Sequence, residues 1–241
     1  MKADLSRVTL VSFDGDTCPE LAALSLSDTL EQADFADVLV CGPVQFSDEG
    51  RYIKTKKWVD RLDFGHFFWY ELPEIVTTDF LLIVHYDSWI IDGSRWEPKF
   101  LDYDYMGAPW WYDDDYNVGH GTLRSLKLMR YLAERKHHFP LEHPEDDILS
   151  RRYRPELEKA GFRWPHERVA SRFMFECARP SPDSKHFMFH DVFNFPAVLS
   201  GERLEQRLDL VYGNRYIRTR TDKIKQLENQ RRAMIIPRLA S

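Results

Sequence analysis

The residues of this chain best suited to chemistry stand where apolar runs end. Phe80-Leu81-Leu82-Ile83-Val84 is followed at once by His85-Tyr86-Asp87. Ligands of parallel α/β sheets bind at the carboxyl ends of strands, so Asp87 can hold a divalent cation or a ribose there; it can equally cap the next turn. Phe187-Met188-Phe189 is likewise followed by His190-Asp191. His190 suits a metal or phosphate ligand, or a satisfied core histidine, and no spacing decides between them. Glu145-Asp146-Asp147 follows Pro144. A carboxylate crowded by like charges has a raised pKa and suits a general base, while a helix cap is the plainer local reading. The run Asp113-Asp114-Asp115 reads as solvated surface, and His137-His138 as the end of a basic helix.

Several familiar chemistries are absent. Gly119-x-Gly121 lacks the third glycine of a dinucleotide loop and follows no clear strand. There is no nucleophile elbow, no HExxH and no kinase loop.

The elements that must position these residues follow from periodicity. Val8 to Phe13 predicts a buried strand, Pro19 to Ala33 a helix, and Asp37 to Cys41 a second strand stopped by Gly42-Pro43. That order predicts a parallel crossover unit. Residues 44–62 read as a loop over the sheet, and Phe64 to Val76 as a helix bent or ended by Pro73. Phe80 to Val84 is the strongest strand. Tyr103 to Trp110 reads as a strand running into a loop that continues through Gly119 and Gly121. Helices are expected from Leu123 to Lys136 and over 144–161, an irregular stretch over 165–195, and one or two basic helices over 201–236. The fold class expected is α/β: a single Rossmann-like domain with a mostly parallel central sheet flanked by helices, and a C-terminal helical basic tail. The division expected is 1–200 for the domain and 201–241 for an extension packed on it.

Composition bounds the class. The chain has 241 residues, 43% of them hydrophobic and 14% aromatic, enough to bury a core. No apolar run approaches the ~20 residues of a membrane span. The start, Met1 to Arg7, leads into a strand rather than a signal-peptide core. Three cysteines, Cys18, Cys41 and Cys177, form no zinc or disulfide pattern, which points to a reducing, cytoplasmic setting. The net charge of −6 hides a split: residues 1–120 hold 23 acids and 9 bases, residues 121–241 hold 16 and 24. The second half therefore suits an anionic partner.

Several segments, in order, resemble one family of uncharacterised proteins that is itself similar to glycosyltransferases of the GT-A type. Leu82-Ile83-Val84-His85-Tyr86-Asp87-Ser88 matches its apolar strand and Asp. Phe100 to Trp110, with Tyr103-Asp104-Tyr105-Met106-Gly107-Ala108-Pro109-Trp110, matches its Tyr-Asp-Tyr-Ile-Gly-Ala-Pro-Trp and is the most specific stretch. Pro144-Glu145-Asp146 matches its Glu-Asp, and Phe187-Met188-Phe189-His190 its Phe-Gly-Phe-His. With Val8-Thr9-Leu10-Val11 the resemblance spans roughly residues 7–196. One loop departs from it: Gly119-His120-Gly121-Thr122-Leu123-Arg124-Ser125 is two residues shorter than the family's glycine-rich counterpart, though Thr122 keeps a hydroxyl and Arg124 a cation.

The resemblance implies a GT-A-like fold and transfer of a sugar from a nucleoside-diphosphate sugar to an acceptor hydroxyl, with inversion and metal assistance. It implies Mn²⁺ or Mg²⁺ held by Asp87 and His190, although His85-Tyr86-Asp87 carries one acid where Asp-x-Asp has two. It implies Asp146, with Glu145, as catalytic base, and Ser12, Asp14, Asp87 and Arg124 at the donor. Trp110, Trp111, His120 and Thr122 would meet the acceptor. The acceptor stays open among a saccharide, a lipid-linked sugar, a protein and a modified base in nucleic acid, and a homo-oligomer is also open. Two other readings stand beside this one: a non-catalytic nucleotide- or glycan-binding module, and a metal-dependent phosphoesterase, which the resemblance disfavours. Residues 215–241 hold eight bases (Arg215, Arg218, Arg220, Lys223, Lys225, Arg231, Arg232 and Arg238), which read first as a solvated helix or oligomer contact and second as a phosphate surface.

Overall fold

The structure is a computed structural model. It describes all residues except 16, 111–117, 177–184 and 236–241, and at 118, 120, 121 and 233–235 it describes the backbone. In chain order the elements are β1 (Ala3–Phe13), α1 (Pro19–Gln32), β2 (Ala33–Gly42), β3 (Arg51–Lys54), α2 (Arg61–His66), α3 (Leu72–Ile75), β4 (Phe80–Val84), β5 (Ser88–Ile90), β6 (Tyr105–Pro109) and β7 (Val118–Ser125). Then come α4 (Leu126–Glu134), α5 (Glu145–Asp147), α6 (Arg154–Lys159), α7 (Glu167–Phe173), β8 (Met174–Phe175), β9 (Met188–His190), α8 (Phe195–Val198), α9 (Gly201–Gly213), α10 (Arg215–Arg218) and α11 (Thr221–Ile235). π-helical turns, Phe67–Glu71 and Ile148–Tyr153, join α2 to α3 and α5 to α6.

The central sheet has the order β3-β2-β1-β4-β7-β6. Strands β3, β2, β1 and β4 pair in parallel; β7 is antiparallel to both β4 and β6. This is an α/β fold with a mostly parallel central sheet flanked by helices. Strand β4 is buried along its whole length, as a central strand covered on both faces must be. Its side chains alternate. Leu81 and Ile83 join a core with Phe68, Trp69, Leu128 and Leu149, while Phe80, Leu82 and Val84 join a second core with Leu26, Phe173 and Phe187.

A second sheet, β5-β9-β8, starts where β4 ends. Its Trp89, Phe175 and Phe189 form a third core with Cys18 and Leu21 and with Leu208, Val211, Ile217 and Leu227 of α9, α10 and α11. The C-terminal helices thus close over the same end of the central sheet at which β4 stops.

Four expectations need correction. The loop expected through Gly121 and the helix expected from Leu123 are instead strand as far as Ser125: Leu123 pairs with Leu82 and Met106, and the alternation is masked because Arg124 is buried like its neighbours. Helix α4 begins at Leu126, after Ser125, whose Oγ accepts from Leu128 N at 3.1 Å and caps it. The stretch 44–62 carries edge strand β3. Residues 165–195, expected to be irregular, hold α7, β8 and β9, strands too short to show a period.

Candidate active site

The carboxyl ends of β1 and β4 open onto a cavity of about 860 Å³. Its walls come from the loop after β1, residues 58–68, the turn after β4, β7, residues 141–146, Glu176, His190-Asp191 and the C-terminal helices.

After β1, Asp14 turns the chain into α1. Its carboxylate accepts from Thr17 N at 2.9 Å, Thr17 Oγ1 at 3.0 Å and Cys18 N at 2.9 Å. Asp14 lines the cavity, but its oxygens are engaged in holding this loop. Ser12 sits deeper in β1, fully buried, and is not among the lining residues.

After β4, His85 and Asp87 line the cavity. Asp87 is 2% exposed. Antiparallel pairing sets Ser88 of β5 opposite His190 of β9, and Asp191 N donates to Asp87 O at 2.9 Å, so the two polar strand ends are tied together. His190 Nε2 lies 3.5 Å from Asp87 Oδ1, and its Nδ1 3.0 Å from Glu176 Oε1. Burial opposes the imidazolium, but Asp87 and Glu176 overcome it and raise His190 to about 10. Asp87 moves the other way: burial resists its charge, and His190 with Lys223 holds it well below the carboxylate range. His85, packed edge-on against Phe13 at 4.1 Å, is pushed down to about 3 by burial.

Glu176, His190 and Asp191 each offer a ligand atom, all within 4.8 Å of one another. Asp87 Oδ1 and Asp191 Oδ1 are buried without a hydrogen-bond partner among the described residues. One imidazole nitrogen and two carboxylates at that spacing suit a divalent metal ion. Of the Asp87 and His190 pair expected from sequence, this group contains His190, and Asp87 stands beside it at 3.5 Å. Asp191 also holds an unusual backbone, φ +87°, which costs energy and persists at sites that need it. Its other oxygen pairs with Lys223 of α11.

On a different wall, Asp146 faces the cavity from α5. Glu145 beside it is committed elsewhere. It takes both prongs of Arg124, at 3.0 and 2.5 Å, and accepts from Trp69 Nε1 at 2.9 Å. Arg124 is 2% exposed, its guanidinium 4.6 Å from the Phe68 ring centre and 5.0 Å from that of Tyr105. Burial works against its charge, yet Glu145 raises its pKa. The pair locks α5 to β7 and so orients Asp146. Sequence reasoning placed Arg124 at a donor and Glu145 beside the base; the fold uses each to hold the other.

Of the residues expected at an acceptor, Thr122 lines the cavity, its hydroxyl 3.4 Å from Met174 Sδ. Trp110 does not line it. The Trp110 ring packs on Gly119, where an added Cβ would lie 1.8 Å from Nε1, and Arg151 lies over it at 4.6 Å. Trp111 and the His120 side chain fall outside the described residues.

Glu176 was not singled out by sequence; Asp191 stood there only as the neighbour of His190, and Arg220 and Lys223 only among the eight bases of the tail. Glu176 repeats the signal seen at Asp87 and His190, a polar residue closing an apolar run, Phe173-Met174-Phe175. Arg220 and Lys223 belong to the basic tail. Both face the cavity, whereas Arg215, Arg218, Lys225 and Arg232 are exposed. Among the described residues no helix is long and apolar enough to cross a membrane.

Residues 44–184 match the family described as protein of unknown function (DUF5672), and the chain belongs to that family. No curated protein matches it. Among solved structures the chain is similar to the apo form of the glycosyltransferase GlyE of Streptococcus pneumoniae TIGR4, at 14% identity and a TM-score of 0.46, covering 87% of this chain and 60% of that one. It is also similar to the galactosyltransferase LgtC in complex with donor and acceptor sugar analogs, at 13% identity and a TM-score of 0.48, covering 88% and 96% of the two chains.

Proposed function

We propose that the protein is a glycosyltransferase that moves a sugar from a nucleoside-diphosphate sugar to an acceptor hydroxyl. The observation that carries this reading is one cavity with two differently built carboxylate walls. One wall is the buried cluster of Asp87, Glu176, His190 and Asp191. The other presents Asp146 on a helix start fixed by the Arg124–Glu145 pair. That division suits a reaction with an anionic leaving group and a hydroxyl nucleophile. The sequence resemblance to GT-A-like proteins supports the same reading. In it, residues 1–200 form the transferase domain, residues 201–241 a helical extension packed on it, and the compartment is the cytoplasm.

The residues divide the work as follows. Asp87, Glu176, His190 and Asp191 would hold Mg²⁺ or Mn²⁺, which when bound supplies positive charge to a departing diphosphate. Asp146 takes the proton of the attacking hydroxyl. The new bond joins the acceptor oxygen to the sugar carbon; the old bond breaks toward the diphosphate, whose oxygen keeps the electron pair. A single displacement of this kind inverts the carbon. Arg124 and Glu145 are positioning residues, and Asp14 shapes the loop at the donor end.

The test is release of nucleoside diphosphate from a panel of sugar nucleotides with Mn²⁺ or Mg²⁺, with saccharide acceptors and with DNA carrying hydroxylated bases. Turnover that Asp146→Asn abolishes without loss of donor binding supports the proposal. A second reading, a nucleotide- or glycan-binding module, is favoured by one observation: Glu176 and Asp191 are already paired, with His190 and Lys223. Donor binding without any release of nucleoside diphosphate would select it.

A further inference from the structure

Lys223 sits at a junction that the proposed chemistry leaves unused. Its ammonium pairs with Asp191, whose second oxygen is buried and unpartnered and whose backbone is held at φ +87°. The Lys223 side chain is 20% exposed and lines the cavity. Arg220, three residues earlier, lines the same cavity and has no ion pair among the described residues. Arg220, just before α11, and Lys223, in its first turn, face one space, next to three buried or nearly buried acids.

We infer that Arg220 and Lys223 form the anion-binding wall of the cavity, and that Lys223 is a tethered cation shared between Asp191 and an incoming diphosphate. The identity of the anion rests on the transferase reading. An ammonium has three donors, and Asp191 engages Lys223 from one side only. Diphosphate oxygens offer it further charge-assisted bonds, and the Arg220 guanidinium offers a two-pronged partner to the same group. A divalent cation at Asp191 stands in the opposite relation to Lys223. The two cations compete for one carboxylate and repel each other at that distance. Lys223 therefore opposes metal alone and favours diphosphate, a pair of opposite signs that a merely structural lysine would not produce.

The experiment measures Mn²⁺ alone by electron paramagnetic resonance, and inorganic pyrophosphate in EDTA by calorimetry. It uses wild type, Lys223→Met, Lys223→Arg and Arg220→Met. Lys223→Met should bind Mn²⁺ about fivefold more tightly and pyrophosphate about tenfold more weakly. Lys223→Arg should retain pyrophosphate binding. Arg220→Met should weaken pyrophosphate by a similar factor and leave Mn²⁺ unchanged; because Arg220 holds no ion pair among the described residues, it reports even if Lys223→Met fails to fold. Wild-type pyrophosphate affinity in both Met variants overturns the anion wall, and unchanged Mn²⁺ affinity in Lys223→Met overturns the sharing. If wild type turns over a sugar nucleotide yet binds no pyrophosphate, this inference fails alone. If it binds pyrophosphate through these residues yet acts on no donor, the transferase reading fails alone.

Discussion

His190 Nε2 lies 3.5 Å from Asp87 Oδ1, although Asp87 stands in the turn between β4 and β5 and His190 ends β9, far along the chain. The contact is made by backbone. Strand β5 begins directly after the β4 turn and pairs with β9, so Ser88 faces His190 and Asp191 N reaches Asp87 O. Once that hairpin-like register is set, the two polar residues that close these apolar strands have nowhere else to go. Around them stand Glu176, Asp191 and Lys223, so three carboxylates meet one imidazolium and one ammonium. A hard cation is held by this cluster once His190 gives up a proton, because an imidazolium offers no lone pair, so metal binding releases a proton.

Removing one ligand should therefore weaken metal binding before it unfolds the protein. Asp87→Asn and Glu176→Gln keep the shape and the pairing partner His190. Each is expected to lower Mn²⁺ affinity by about tenfold or more, read from a Mn²⁺ titration, with cooperative melting preserved. Wild-type Mn²⁺ affinity in both variants would remove the cluster as a metal site.

The two histidines of the cavity should give the metal-free protein opposite pH slopes. His190 is raised from an ordinary 6.5 to about 10, so its contribution to stability is complete below pH 6.5 and is lost as pH rises toward 10. His85 is pushed from 6.5 to about 3, so its contribution is complete above pH 6.5 and is lost as pH falls toward 3, because the unfolded chain takes up the proton first. Melting temperature in EDTA should peak near neutrality. His190→Gln should flatten the alkaline flank and His85→Phe the acid flank. Parallel pH profiles in wild type and both variants would contradict this.

Asp87 and His190 were legible because each is a polar residue directly after an apolar run, and a sheet gathers such ends at one edge. Glu176 carries the same signature, but its strand, Met174–Phe175, is two residues long and gives no period to read. Strand β7 was hidden by Arg124, a buried cation in a strand otherwise read through glycines; only its partner Glu145 explains it, and that partner is brought by the fold. Lys223 shows the limit most plainly. The spacing of charges along α11 states which face each base occupies, not which neighbour that face meets. Trp110, an aromatic in a family motif, reads as a sugar platform, and its ring packs on Gly119 of β7.

The tail helices are pinned by a pair whose burial works against it. Arg207 of α9 is 3% exposed, pairs with Asp28 of α1, and lies 4.6 Å from the Trp89 ring centre. Burial raises the Asp28 pKa against the pull of Arg207 and Arg203, and burial lowers that of Arg207. Desolvation thus outweighs attraction on both sides. Arg207→Met alone leaves the buried carboxylate of Asp28 to the more exposed Arg203 and should cost about 3 kcal/mol in a urea titration. The double variant Asp28→Leu, Arg207→Met should recover most of that loss. A double variant as unstable as the single one would show that the pair contributes net attraction.

Asp146 and Glu145 are adjacent acids with separable fates, and this separation tests the proposed base. Asp146→Asn removes a proton acceptor from a cavity wall; transfer should fall about 10²- to 10⁴-fold while the melt stays near wild type. Glu145→Gln instead removes the charge of the two-pronged partner of the Arg124 guanidinium, which is 2% exposed. That variant should lose about 3–5 kcal/mol of stability and, where still folded, lose activity through misplacement of Asp146. The base is distinguished from the positioning residue by pH: Glu145→Gln keeps the acid limb of the wild-type rate profile, and Asp146→Asn abolishes it. If Glu145→Gln abolished the limb and Asp146→Asn kept it, the roles would be reversed, and the ion pair with Arg124 would have to open during turnover.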